Sequence, residues 1–286
     1  PVRKKKEAPA FSKQHVFLVV STGEQLAAAK KRAGENTTII LDGPVLEEAE
    51  DGMIAQDPSM LLALPQVFRQ SDRAWMEEFY KKFTGKCSGF LVRTLGEIEF
   101  LDEKGYDGLV MGDSCLYAWN KTAADLLETY TNLEVLPLEL SGRELASVYR
   151  DRLARKVLPV YGRVPMMVTA GCVKKTAGAC SGKEDGTWYL RDRKNAVFPV
   201  RTACRHCSNI IYNSVPLSLH GYLTDPAVRL SGSLLLAFTI EDEKTTEEVL
   251  SLFLGPAAAG QHSGTADKGA PRDGEFTTGH FRKGAL

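Results

Sequence analysis

The sequence predicts an α/β protein, a (β/α)8 TIM-barrel-like fold with a cysteine-rich insertion after its seventh strand. Three observations predict it. Eight short apolar runs recur along the chain, several followed by a segment with helical apolar spacing. The runs are continuous rather than alternating, as expected of parallel strands buried on both faces. No G-x-G-x-x-G follows the first run, so an open dinucleotide-binding sheet lacks its fingerprint and the closed barrel is favoured.

Taken in order, VFLVV (16–20) leads into the helical GEQLAAAKKRA, and TTIILD (37–42) and MLLALP (60–65) follow. SDRAWMEEFYKKF (71–83) has a Ser-Asp start and apolar Trp75, Met76, Phe79 and Phe83 at a spacing near one helical turn. GFLVR (89–93), GLVMGD (108–113) and EVLPLE (134–139) are the next strands. SGRELASVYRDRLARK (141–156) opens on Ser141 with Glu144 three residues on, a capping box. VLPVYGRVPMMV (157–168) reads as one strand bending at Gly162, SLLLAFTI (233–240) as the last strand, and EDEKTTEEVLSLFL (241–254) as the closing helix.

The barrel is expected over 15–254, with the insertion at 169–225 holding four of the six cysteines and a hairpin-like piece, TWYLRDRKNAVFPV. Residues 255–275 are rich in Gly, Ala and Pro and read as a flexible loop, and 276–286 as a segment packing back on the body. Residues 1–14 read as a linker, and the chain as a piece of a longer protein.

Lys+Arg and Asp+Glu balance at 36 each, so global charge points to neither nucleic acid nor membrane, although a local basic patch is compatible with it. No apolar run approaches the roughly 20 residues that span a bilayer, and there is no signal-peptide pattern. A cytoplasmic, reducing location is expected, where clustered thiols mean metal or redox work.

The cluster is Cys172, Cys180, Cys204 and Cys207, separated by seven, twenty-three and two residues. Four thiolates close a tetrahedral zinc site or hold an iron–sulfur cluster; the unmatched first pair departs from a zinc ribbon and favours the cluster. A redox dithiol or a reduced loop CxxC are the competing readings. His206, inside the CxxC, reads as a donor to a cluster sulfur or a solvent-facing residue. Cys87 and Cys115 read as buried structural thiols.

Polar residues at strand C-terminal ends, where such barrels build their sites, are the next candidates: Asp42, Arg93, Asp113, Glu139 and Arg163. Glu139, Asp113 and Arg163 are the catalytic candidates; Arg93, Asn120, Tyr161, Arg163 and Arg193 are the substrate-binding ones. Arg163 and Arg193 suit a carboxylate or phosphate. Lys174, Lys175, Arg191, Arg193, Lys194, Arg201 and Arg205 flank the cysteines as a basic face, with Trp188 or Tyr189 to stack a base. Hydrolytic signatures are absent: there is no HExxH, no GxSxG, and no histidine between His15 and His206.

LPLELSGREL, YGRVPMMVTAGC, YLRDRKNAVFPV, CRHCSNIIYNSVPLSL and TTGHFRKGAL, with a looser match through FLVRTLGE and DSCLYAWN, resemble the collagenase-like peptidases of family U-thirty-two. The chain resembles the C-terminal section of a long bacterial member, which would carry a further barrel region upstream. The resemblance implies two activities. One is the protease activity that named the family. The other is oxygen-independent hydroxylation, of a tRNA uridine with prephenate as oxygen donor or of ubiquinone precursors. It also implies a 4Fe-4S cluster on Cys172, Cys180, Cys204 and Cys207, with Cys207 the least matched. Together with the residues it favours an iron–sulfur-dependent hydroxylase, or a component of one, using tRNA and a small anionic oxygen donor. A collagenase-like endopeptidase, a zinc site in place of the cluster, and a non-catalytic barrel that recruits RNA or a partner are the alternatives.

Overall fold

The computed structural model of the chain describes residues 6–46, 59–180, 182, 185–255 and 275–284. Most of the loop expected at 255–275 lies outside the described residues. Seven strands form the first part of a parallel wall: β1 (His15–Val20), β2 (Thr37–Leu41), β3 (Leu61–Ala63), β4 (Gly89–Val92), β5 (Leu109–Gly112), β6 (Leu133–Val135) and β7 (Lys156–Gly162). Five strands later in the chain are β8 (Pro165–Thr169), β9 (Gly186–Arg191), β10 (Val197–Ala203), β11 (Ser208–Tyr212) and β12 (Leu217–Ser218). The eighth wall strand is β13 (Ser233–Ala237), which pairs in parallel with both β1 and β7, while β6 also pairs with β7. The ring of eight parallel strands is thereby closed.

Strand periodicity of two divides the apolar side chains between two cores. Phe17, Val19, Ile40, Leu61, Leu91, Met111, Leu133, Val157 and Leu235 fill the inside of the barrel. Their neighbours Leu18, Val20, Leu41, Leu62, Phe90 and Leu236 face outward and pack under the helices. Those helices are α1 (Gly23–Arg32), α2 (Arg73–Phe83), α3 (Leu95–Glu103), α4 (Lys121–Leu127) and α5 (Gly142–Tyr149), then the single turn α6 (Val173–Thr176), α7 (Pro226–Leu230) and α8 (Glu243–Leu254).

Local chemistry sets their ends. Thr94 and Ser141 close reciprocal capping boxes with Glu97 and Glu144, satisfying N–H groups that a helix start leaves unpaired. The helix expected over 141–156 ends at Tyr149 and continues as a tighter 3₁₀ segment, Arg150–Arg155. In α2, Asp72 precedes the first turn but spends its carboxylate on the Arg69 N–H at 2.7 Å rather than on the helix.

Two expectations are corrected. The run at 157–168 is two strands in different sheets, β7 in the barrel wall and β8 in a four-stranded antiparallel sheet of order β8-β11-β10-β9. Gly162 makes the break: its φ is +143°, and a Cβ there would lie 2.6 Å from the Ala237 carbonyl on β13. Residues 6–14 are not a free linker. Ala8 and Phe11 pack on the inner core, Phe11 stacks on His15 at 4.1 Å, and Gln14 donates to the Val228 and Ser231 carbonyls. Apolar side chains at the barrel floor need cover from water, and this segment supplies it.

At the other end of the chain, Phe281 enters the outer core and the Gly142 N–H donates to its carbonyl. Thr277 bridges to Leu217 of β12. Among the described residues no helix is long and apolar enough to cross a membrane.

Candidate active site at the barrel mouth

The C-terminal ends of β2, β4 and β5 deliver Asp42, Arg93 and Asp113 to one point. Arg93 Nη1 and Nη2 donate to Asp42 Oδ1 and Oδ2 at 2.9 Å each, and its Nε donates to Asp113 Oδ2 at 2.9 Å. Its Nη1 also donates to the Leu64 carbonyl at 3.0 Å. Four of the five guanidinium N–H groups are thus engaged, and its orientation is fixed. Burial alone would raise the Asp42 carboxyl; Arg93 and Arg201 more than reverse this and hold it well below the usual carboxylate range.

Behind this cluster lies Glu97, fully buried. Its Oε2 accepts from the Arg93 and Thr94 N–H groups at 2.6 and 3.0 Å, while Oε1 has no partner among the described residues. Burial pushes this carboxyl up to about 8, against the pull of the two N–H groups.

The four-stranded sheet lies over the mouth. Arg201 of β10 reaches into the barrel, donating from Nη1 to Ser21 Oγ at 2.9 Å and from Nη2 to Asp42 Oδ2 at 3.2 Å. Its guanidinium stands 5.8 Å from the Tyr212 ring of β11. Two clefts flank this bridge. One, of about 80 Å³, is walled by Leu91, Leu235 and Phe238 and carries Asp113, Tyr161 and Arg163. The other, of about 60 Å³, runs from Asp42 and Arg93 to Asp185, His206 and Ser208 beside the cysteine hairpin.

Arg163 donates from Nη1 to the Asn213 and Ser214 carbonyls at 3.1 and 2.5 Å. Its Nε has no hydrogen-bond partner among the described residues and lies 3.8 Å from Glu241 Oε1. Tyr161 donates to the same Glu241 oxygen at 3.3 Å. Glu139 follows β6, and its Oε2 is buried without a partner among the described residues. Asn120, in contrast, is an exposed helix cap accepting from the Ala123 N–H at 2.9 Å. Arg193 is exposed in the β9–β10 turn and lines neither cleft. Asp113, Arg163, Arg93 and Tyr161 therefore share one site, whereas Asn120 and Arg193 stand outside the clefts.

Three of the four cysteines, Cys172, Cys204 and Cys207, lie at one end of the four-stranded sheet. Cys204 and Cys207 sit in the β10–β11 turn, whose base is the Ala203–Ser208 pair. Cys172 follows Thr169 of β8, which pairs with Asn209 next to that turn. Cys180 is exposed, and β9 begins at Gly186, opposite Thr202. Among the described residues no disulfide joins any of the six cysteines.

Cys172 opens α6. Backbone N–H of Lys175, with help from the Asn209 amide and the Lys174 N–H, holds its thiol below the ordinary value. The Cys204 thiol is pushed up by burial; the Lys174 ammonium lies 3.7 Å from its sulfur, and its N–H donates to Asp185 Oδ1 at 2.5 Å. Four thiols suit a metal or cluster in kind. Their side chains are not closed round one point: among the described residues no group of three or more His, Cys, Asp or Glu is placed to hold a metal ion.

His206 does not face solvent. Its Nδ1 lies 3.3 Å from Asp72 Oδ1, off the line of a good hydrogen bond, and its ring meets Trp75 edge-on at 5.3 Å. Arg69 donates to its carbonyl. It fastens the cysteine turn to the start of α2. The basic face is also broken up: Arg201 and Lys174 are buried, and Arg205 lies over Trp75 at 5.3 Å. Arg191, Arg193 and Lys194 remain exposed at the β9–β10 turn, with Lys175 exposed on α6.

The part of Arg201 in the ion network and the role of His206 were not read from sequence. Arg201 and Asp42 are 159 residues apart, and only the sheet's placement joins them.

No protein-family model matches the chain, and no curated protein does. Among solved structures, the spore cortex-lytic enzyme SleL of Bacillus megaterium QM B1551 is similar at 10% identity and a TM-score of 0.35, over 88% of this chain and 75% of that one.

Proposed function

We propose that the chain is an iron–sulfur-dependent, oxygen-independent hydroxylase, or a component of one, acting on a tRNA uridine with a small carboxylate oxygen donor such as prephenate. In this reading residues 169–225 are a cysteine-bearing insertion whose thiols serve the cleft at the barrel mouth. The observation that carries it is Arg201. Three residues before Cys204, it is bonded to Asp42 and Ser21 of the barrel, so the thiol-bearing turn and the cleft are one mechanical unit.

Cys172, Cys180, Cys204 and Cys207 would hold the cluster after closing their side chains about it, and when bound it would supply electron transfer. The protein's own residues do the rest. Arg93, locked by two carboxylates, fixes the floor of the cleft and keeps Asp42 ionised. Arg163 lines the cleft as a cation suited to a carboxylate, its Nε 3.8 Å from Glu241 Oε1. Leu91, Leu235 and Phe238 give the apolar wall on which the body of a small acid packs while water is excluded.

A hydrolase finds less support. The Ser–His contact at Ser218 Oγ and His220 Nδ1, 3.0 Å, belongs to a serine that is buried in β12 and inaccessible to a peptide bond.

The test is incubation of the anaerobically purified chain with tRNA and prephenate, followed by mass spectrometry of the nucleosides. Gain of one oxygen on uridine, lost in Arg163→Ala, is expected. Unmodified tRNA from cluster-loaded protein, or peptide cleavage that tracks with the pure chain, would contradict the reading.

A further inference from the structure

Two side chains of the first cleft converge on a buried acid, Glu241. The sequence reads this residue as the start of the closing helix. In the structure Asp242 takes the cap and α8 begins at Glu243, so Glu241 sits in the short loop after β13. A carboxylate is kept out of water only where donors satisfy it.

Its two oxygens have separate work. Oε2 accepts from the Thr239 and Ile240 N–H groups at 2.6 and 3.1 Å, so the loop's own backbone fixes it. Oε1 accepts from the Tyr161 hydroxyl at 3.3 Å and faces Arg163 Nε at 3.8 Å. The Glu241 carbonyl accepts from Gln25 Nε2 at 2.8 Å, and Gln25 Oε1 accepts from the Ser21 N–H at 2.8 Å. Gln25 is fully buried, and Ser21 is the residue that Arg201 holds. The acid is therefore anchored at its backbone and at one oxygen, and its other oxygen addresses Tyr161 and Arg163. Both of these line the cleft, and Glu241 itself does not.

Arg163 needs such an anchor. It lies beyond the last wall pair on β7, Ala237 with Gly162, where the chain leaves the barrel. Its Nη1 is tied to the Asn213 and Ser214 carbonyls, and Glu241 faces its Nε. A guanidinium held at two places presents a fixed edge, and a planar carboxylate is recognised by edge geometry as well as by charge.

We propose that Glu241 is a positioning residue, which aims the Arg163 guanidinium and the Tyr161 hydroxyl at the carboxylate of the ligand. This rests on the reading above of a small carboxylate in this cleft and deepens it. It depends on neither the RNA nor the cysteines.

The experiment is calorimetric titration of the chain with prephenate, arranged as a double-mutant cycle. Arg163→Ala is expected to weaken binding about a hundredfold. Glu241→Gln keeps an oxygen for the Thr239 and Ile240 N–H groups but loses the charge that faces Arg163, and is expected to weaken binding about tenfold. A residue that acts through Arg163 has nothing to act through once that side chain is gone. The double variant is therefore expected to bind like Arg163→Ala alone. Should Glu241→Gln not fold, Glu241→Asp, which draws the charge back from Arg163, is expected to give the same pattern.

The same loss with and without Arg163 would mark a merely structural role and overturn the proposal. So would unchanged binding in Glu241→Gln, or tighter binding, in which the carboxylate only repels the ligand. Each of these leaves the carboxylate reading standing. Failure of prephenate to bind the wild type would overturn that reading and the positioning role with it.

Discussion

At the scale of single residues, Glu97 and Arg93 decide how the mouth responds to pH and mutation. Glu97 is raised to about 8 from an ordinary value near 4.5, first by burial. Between those values the folded protein holds a proton that the unfolded chain has released. Stability therefore falls as pH rises through that window. Glu97→Gln keeps an acceptor for the Arg93 and Thr94 N–H groups and cannot ionise. Its melting temperature, followed by circular dichroism from about pH 5 to about pH 8, is expected to lose this downward slope. A slope identical to wild type would refute the assignment. Asp42 behaves in the opposite sense. Burial opposes its ionisation, but Arg93 and Arg201 depress it, so its contribution is present above the unfolded value and disappears as pH falls through the folded one. Arg93→Ala removes the ion-pair partner of Asp113, which keeps the Ser114 N–H and hydroxyl, and leaves Asp42 with Arg201. A loss of about 3–5 kcal/mol in urea unfolding is expected.

At the scale of elements, the capping boxes are the plainest case of sequence dictating structure. Ser141→Ala removes an acceptor for the Glu144 N–H at 3.3 Å, and a loss of about 1 kcal/mol in urea unfolding is expected. The wall strands were legible because parallel strands covered on both faces leave uninterrupted apolar runs, as VFLVV and SLLLAFTI do. What failed was the boundary between β7 and β8. MMV on β8 is as apolar as the run before it, yet Met166 and Met167 are exposed on a sheet edge. Composition does not encode which sheet a strand joins. β11 and β12 were missed for a related reason: SNIIY follows the CxxC directly and LS is two residues long, too short for a period to show. In the site, polar residues at strand ends pointed to Asp42, Arg93 and Asp113, because the barrel sends those ends to one rim. The part of Glu241 could not be read, since an acid where a helix starts ordinarily serves that helix.

At the scale of the whole molecule, both ends of the barrel are closed by segments outside the wall. Residues 6–14 cover the floor through Ala8 and Phe11, and the four-stranded sheet covers the mouth through Arg201. Phe11→Ala, which uncovers His15 and Phe17, is expected to cost about 2 kcal/mol in urea unfolding. The mouth cover bears more on the proposed function, because its β10–β11 turn carries Cys204 and Cys207. The measurement that tests this most directly is iron and acid-labile sulfide analysis, with an absorption spectrum, on protein purified without oxygen. The account predicts brown protein with iron and sulfide in equal amounts, both lost in Cys204→Ser with Cys207→Ser. Colourless protein, or protein carrying stoichiometric zinc, would contradict it.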